Sequence, residues 1–364
     1  MNCVQRSLFC VFFYLLIKIY DQSNTIRTCL RYFCSPKMEL LFKNVRIITG
    51  NTAQEQLADV LIRQGKIDAV GTDLNAPATA EVMHKEGLCL SPGWMDVGVH
   101  TGDPGFEHRE DLFSCAAAAA AGGFTEAACL PNTQPAVHSK SEVLYIKNKT
   151  AHLPVRFYPF GSVSVGCEGK DLAELYDMHT VGALAFSDGT RAVQDAGLML
   201  RALEYVRAFD GLILNMPHHK NIAGGGQMHE GIISTQLGLR GIPVLAETLM
   251  IQRDLSLLEY AQSRLHIHLV SSAAGVALIR TARQAGLPVT ASVAVANLCF
   301  TDAQLAGFDS HWKVCPPLRS ETDRQALLEG LEDGTIDFIC SNHTPWDTEA
   351  KNVEFPYAEF GMIG

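Results

Sequence analysis

The sequence predicts an α/β protein, a (β/α)8 barrel of the TIM type preceded by a small β module. Three observations carry that prediction. From Trp94 onward, short apolar strands alternate with segments of helical period. Eight such strand–helix units fit before the chain ends. Residues 38–92 have a different rhythm, strand–turn–strand, with no helical period. In a barrel of this kind the chemistry sits where strands run into their following loops.

The elements follow in order. Met38 opens MELLFKNVRIITG, which reads as a strand, and Val45–Ile48, Asp59–Arg63 and Ile67–Val70 are the strands of the module. Gln64-Gly65 marks a hairpin turn between two of them, and the module ends near Cys89–Gly93. The barrel strands are Trp94–His100, Thr125–Leu130, Val155–Gly161, Gly182–Ser187, Gly211–Met216, Leu265–Ser271, Pro288–Val295 and Asp337–Ser341. Helical period appears between them, as in Asp111–Ala121, Asp195–Phe209, Asp254–Gln262, Ala274–Ala285 and Thr322–Leu331. A doubly wound open sheet is the weaker alternative, because no GxGxxG follows a strand. The run Gly224–Gly226 lacks a P-loop lysine and hydroxyl.

Composition narrows the function classes. A hydrophobic fraction of 47% with 19% charged residues fits a folded chain with a large core. Lys+Arg number 29 against 39 Asp+Glu, a net charge of -10. Such a surface repels phosphate, which argues against nucleic acid and anionic membrane as partners. The 11 cysteines include no CxxC pair, so they read as free thiols of a reducing, cytoplasmic protein rather than a zinc finger. Residues 1–37 do not match the rest. Their apolar run Leu8–Ile17 is shorter than the roughly 20 residues a membrane span needs. No small-x-small cleavage site follows it. The favoured reading is a true start at Met38, with no membrane association; a targeting or anchor segment is the other.

Six segments in fixed order carry a resemblance: SPGWMDVGVHTGDPGFEHRED, LPNT at Leu130–Thr133, FSDG at Phe186–Gly189, MHEGIISTQLGLRGIPVLAE from Met228, KVCPPLR at Lys313–Arg319 and DGTIDFICSNHTP at Asp333–Pro345. From Met38 to the last residue the chain resembles the dihydroorotase branch of the amidohydrolase superfamily. The resemblance implies an amidohydrolase-type (β/α)8 barrel with a small β-sandwich built from both termini. It also implies cyclisation of carbamoyl-aspartate to dihydroorotate, or the reverse, in pyrimidine synthesis. The expected domains are an extension at 1–37, the N-terminal part of the sandwich at 38–92 and the barrel at 93–364. The barrel's C-terminal end is expected to be truncated, because the closing helix and returning strands of the family do not follow.

The same resemblance implies one or two divalent metals, zinc among them, to activate water and polarise the amide. A carboxylate moves the protons. Here the family's His-x-His on strand one reads Gly98-Val99-His100, so the first ligand is lost and His100 remains. Gly102 stands where the family has an arginine for the substrate carboxylate. Asp188 keeps the bridging aspartate of one branch. On strand five the ligand position holds Met216, with His218 and His219 as substitutes if the alignment slips. On strand six it holds Leu269. His266 and His268 alternate with Leu269, so period two turns them away from the mouth, toward the surrounding helices. The strand-eight pattern S-D-H-x-P reads Ser341-Asn342-His343-Thr344-Pro345. Asn342 therefore replaces both a metal ligand and the general base, since an amide has no charge to accept a proton. His343 lies on the opposite strand face. Asn132 would contact substrate by resemblance; a turn residue bonded to its own backbone is an equal reading.

With only His100 and Asp188 left of the ligand set, zinc is expected to bind weakly or not at all. The expected function is a catalytically degenerate dihydroorotase-like protein of de novo pyrimidine biosynthesis. It would be a homo-oligomer serving as a non-catalytic partner or scaffold of aspartate transcarbamoylase or another pyrimidine-pathway enzyme. Two alternatives stand beside it: an active dihydroorotase or other cyclic-amide hydrolase with rebuilt ligands, and a ligand-binding sensor using the remnant pocket.

Overall fold

The computed structural model describes residues 39–48 and 56–362. The N-terminal extension with its apolar run, and the start at Met38, lie outside the described residues. The described residues fall into two compact units, and the first holds the module together with residues 116–126.

In that unit five strands form one sheet: β1 (Glu39–Ile47), β2 (Gln56–Arg63), β3 (Lys66–Gly71), β4 (Glu81–His84) and β5 (Cys89–Leu90), ordered β3-β2-β1-β4 with β5 also on β1. The β2–β3 connection is the Gln64-Gly65 turn that the sequence predicts. Both residues have positive φ, 52° and 71°, as a two-residue hairpin matched to strand twist requires. The first strand starts earlier than Val45. Leu40 and Phe42 are buried with Val45, Val60, Leu88 and Leu90, and a bulge after Phe42 restores the inward phase at Val45.

The barrel continues with β6 (Trp94–Val99), β7 (Phe124–Cys129), β8 (Arg156–Pro159), β9 (Ile213–Asn215), a short pair β10 (Met228–His229) and β11 (Gly241–Ile242), β12 (Leu265–Ile267), β13 (Val289–Ala294) and β14 (Phe338–Cys340). The predicted fourth strand is present only as single parallel bridges from Phe186 to Gly161 and Ile213. Backbone bonds carry the ring round: Leu130 N–H to Val99 O, Phe160 N–H to Cys129 O and Phe186 N–H to Leu212 O, each 2.9 Å. His100 N–H donates to His343 O at 3.0 Å and closes the ring between the first and last strands. Seven of the eight predicted barrel strands are therefore present as strands, and the fourth as isolated bridges.

Helices begin where side chains can satisfy their free N–H groups. Asp195 caps Ala196–Arg207, Ser272 caps Ala273–Gln284 and Ser320 caps Glu321–Glu332, while Ser139 and Glu142 form a capping box on Lys140–Lys149. The helix Leu245–Ala261 starts nine residues before the predicted Asp254. Its first turns are apolar on several faces, with Leu245 and Leu249 exposed and Ala246, Met250 and Ile251 buried, so no period shows there. Buried Glu247 on this helix accepts from the backbone N–H groups of Ser271 and Ser272, at 3.2 and 3.0 Å, and pairs with Arg319 at 3.2 Å. That brace fixes the chain just after β12. No described helix is long and apolar enough to cross a membrane. The described cysteines are free, with Cys115, Cys129, Cys167 and Cys340 buried.

Candidate functional site

A cavity of about 660 Å³ opens among the loops that follow the barrel strands. His100 enters it after β6, Asn132 after β7, Met216 and His218 after β9, His268 and Leu269 after β12, and Asn342 and His343 after β14.

The first correction concerns the sixth strand. His266 and His268 face the barrel interior, not the surrounding helices. His268 Nδ1 lies 3.0 Å from Ser292 Oγ, and His266 Nε2 lies 2.9 Å from the same hydroxyl. His266 also meets Thr290 Oγ1 at 2.8 Å and stacks on Phe338. The two imidazoles do share a face, as period two requires. Regular strand ends at Ile267, however, and Leu269 has φ +61°. That left-handed step changes the phase, so Leu269 and His268 both reach the cavity.

A second finding concerns Gly98. Its φ is +86°, and a Cβ built there would lie 2.3 Å from His268 Nε2. The imidazole missing from the first strand is thus matched by one from the sixth, standing in the same space. Nε2 of His268 and Nε2 of His100 are both buried without a hydrogen-bond partner. Burial pushes His100 down to about 4, helped by the neighbouring His343 and Arg109. His268 is lowered well below its usual value by burial first, then by His266 and His100. Both are neutral near pH 7.

Asp188 does not join them. It is buried and accepts from Ser164 N–H at 2.9 Å and from Ser164 Oγ at 2.5 Å, and it is absent from the cavity lining. Burial raises its pKa and the Ser164 bonds oppose that shift. Asn132 lines the cavity, but its amide ties two loops together, donating to Asp188 O at 3.0 Å and accepting from Thr190 N–H at 3.1 Å. It is neither a turn residue bonded to itself nor a side chain with free polar atoms.

Met216 and Leu269 pack with Ala294 and Cys340, so two expected ligand positions form an apolar wall. Asn342 donates its Nδ2 to Cys315 O at 3.1 Å, which fixes the amide orientation and explains why an amide suits this position. His218 lines the cavity, whereas His219 caps the short helix Lys220–Ala223. His343 lines the cavity too, and its Nε2 meets Glu110 Oε2 at 2.6 Å. With Cys115 these form a group of possible metal donors within 4.8 Å of one another.

Sequence reasoning missed Arg109. Its guanidinium lies 3.6 Å from the Trp346 ring centroid and 4.8 Å from that of Phe106, and its Nε is buried without a hydrogen-bond partner. Gly102 supplies the turn that brings it there. A Cβ on Gly102, at φ +66°, would lie 2.3 Å from Glu110 O and 2.8 Å from Phe106 O.

The donor chemistry does not fit the two-metal centre that the resemblance implies. Asp188 is turned away, Met216 and Leu269 are apolar, and Asn342 presents an engaged amide. What the donors present offer is smaller: the Glu110, Cys115 and His343 group, and two imidazoles, His100 and His268, whose buried Nε2 atoms have no hydrogen-bond partner.

Comparison with known proteins bears on the same residues. A family model described as dihydro-orotase-like matches residues 87–274. A dihydroorotase of Pelotomaculum thermopropionicum is 44% identical over 327 residues, which cover 90% of this chain and 76% of that protein. A dihydroorotase of Syntrophotalea carbinolica is 42% identical over 328 residues, covering 90% and 77%. Among solved structures, the L-hydantoinase (dihydropyrimidinase) of Arthrobacter aurescens matches with a TM-score of 0.77 at 25% identity, covering 90% of this chain and 74% of that one. A D-hydantoinase with a TM-score of 0.72 at 22% identity shares the fold. The closed barrel, its cavity at the strand ends and the relatives that match over most of their own length lead to one assignment: the chain belongs to the dihydroorotase family of the amidohydrolase superfamily.

Proposed function

We propose that this chain acts in pyrimidine biosynthesis on the carbamoyl-aspartate and dihydroorotate pair, as an amidohydrolase whose donors are rebuilt around His100 and His268. The observation that carries this reading is the pair of buried, unpartnered Nε2 atoms at one cavity. The dihydroorotases that match at 44% and 42% identity support the substrate class. Neutral imidazole is the form that offers a lone pair, and a His268 Nδ1–H donating to Ser292 Oγ leaves Nε2 free to do so. A divalent cation such as zinc, when bound there, would polarise the amide carbonyl and acidify a water. The test is hydrolysis of dihydroorotate by the purified protein with zinc or manganese added. Metal-dependent turnover that His268→Ala abolishes is expected; no turnover at saturating metal sinks the enzyme reading.

A second reading is a cytoplasmic, non-catalytic partner of aspartate transcarbamoylase. The apolar wall of Met216, Leu269, Ala294 and Cys340 and the neutral Asn342 favour it. Co-elution with that enzyme, without turnover, is its expected signature.

A further inference from the structure

Three cationic side chains line the cavity, Arg109, Arg191 and Lys220, and of these Arg109 is the one held between aromatic rings with a buried donor left unpaired. Arg109 sits in the loop Gly102–Glu110, whose backbone closes on itself: Phe106 N–H donates to Gly102 O at 2.6 Å, and Arg109 N–H donates to Phe106 O at 2.9 Å. This closure requires glycine at 102, because a Cβ there would run into two carbonyl oxygens. The turn that excludes a side chain at 102 is also the turn that delivers the one at 109.

We infer that Arg109 is the carboxylate-recognition residue of the cavity, selecting an anionic cyclic amide over a neutral one. Three features of its setting support this. Trp346 and Phe106 hold the guanidinium by cation–π contact, at 3.6 and 4.8 Å from their centroids, so the planar group is oriented before any ligand arrives. Its buried Nε has an unused donor, and a guanidinium edge binds a carboxylate with two parallel N–H bonds. It lines the same cavity as His100 and His268. The nearby charges that act on it are Asp347 and Glu359, and Glu359 also lines the cavity.

The inference rests on the proposed ligand class, and its test separates the two. Binding of dihydroorotate and of dihydrouracil, the same ring without the carboxylate, is measured by calorimetry on the whole chain. The wild type is expected to prefer dihydroorotate by about tenfold or more, the range that charge-assisted hydrogen bonds supply. Arg109→Met keeps an apolar stem against Trp346 and is expected to erase that preference while leaving dihydrouracil within about twofold, since the uncharged ring makes no such bonds. Arg109→Lys should retain only part of it, because an ammonium keeps the charge and loses the fork. Unchanged preference in Arg109→Met overturns the inference and leaves the proposed function standing. Equal binding of both rings by the wild type overturns the inference and moves the cavity toward neutral cyclic amides. Binding of neither ring overturns both.

Discussion

His268 stands where a side chain on Gly98 would have to be: a Cβ at Gly98 would lie 2.3 Å from His268 Nε2. The first and sixth strands thus exchange bulk across the barrel interior. Putting the family's residue back at one position is therefore not a repair.

Gly98→His is expected to destabilise the protein by about 1–3 kcal/mol, from left-handed strain at φ +86° and collision with His268. Adding His268→Ala should relieve the collision and keep the strain. Urea denaturation of the single and double variants checks this; a single variant as stable as wild type contradicts the geometry.

Zinc content should follow the imidazole pair. Titration of metal-free protein with zinc is expected to show saturable binding that either His100→Ala or His268→Ala removes. The affinity should be below that of a three-ligand catalytic site. Loss of binding in Asp188→Asn, with both imidazoles intact, would return Asp188 to the ligand set.

Asp188→Asn should instead cost stability, about 1–3 kcal/mol, because an amide has one acceptor oxygen where the carboxylate accepts from both Ser164 N–H and Ser164 Oγ. The pH dependence has a definite sign. Burial raises the Asp188 pKa, so the folded state holds that proton more tightly than the unfolded chain does. Its contribution is greatest below the unfolded value and declines as pH rises through the folded one. Asp188→Asn should remove that decline. Denaturation midpoints of both proteins, measured across the acidic range, decide it.

Asn342→Asp is expected to lose the donor to Cys315 O and place a carboxylate beside that carbonyl, costing about 1–3 kcal/mol near neutral pH. Protonation would restore a donor, so the deficit should shrink on acidification. A deficit independent of pH would show that the carboxylate turns elsewhere. Turnover is not expected to rise, because the apolar wall of Met216 and Leu269 remains.

Local signals in the chain determined most of the scaffold. The Gln64-Gly65 turn follows from residues that accept positive φ, and the helices at 112–121, 196–207, 273–284 and 321–332 follow from polar starts and apolar period. Barrel strands were legible because each is a short apolar run between such helices. The segments flanking Gly98, Gly102, Met216, Leu269 and Asn342 fix the place of these residues in the order of strands.

Where side chains point was another matter. The alternation that sets Leu269 against His268 is broken by the left-handed step at Leu269, whose N–H donates to Ser292 Oγ at 3.2 Å on the neighbouring strand. Asp188 turns to Ser164, a partner 24 positions away, and Arg109 is aimed by Trp346 from the far end of the chain. Alternation along a strand carries phase only while the backbone stays extended. Past the strand ends, where this protein keeps its polar groups, contacts between distant segments set the orientation, and only the tertiary structure decides them.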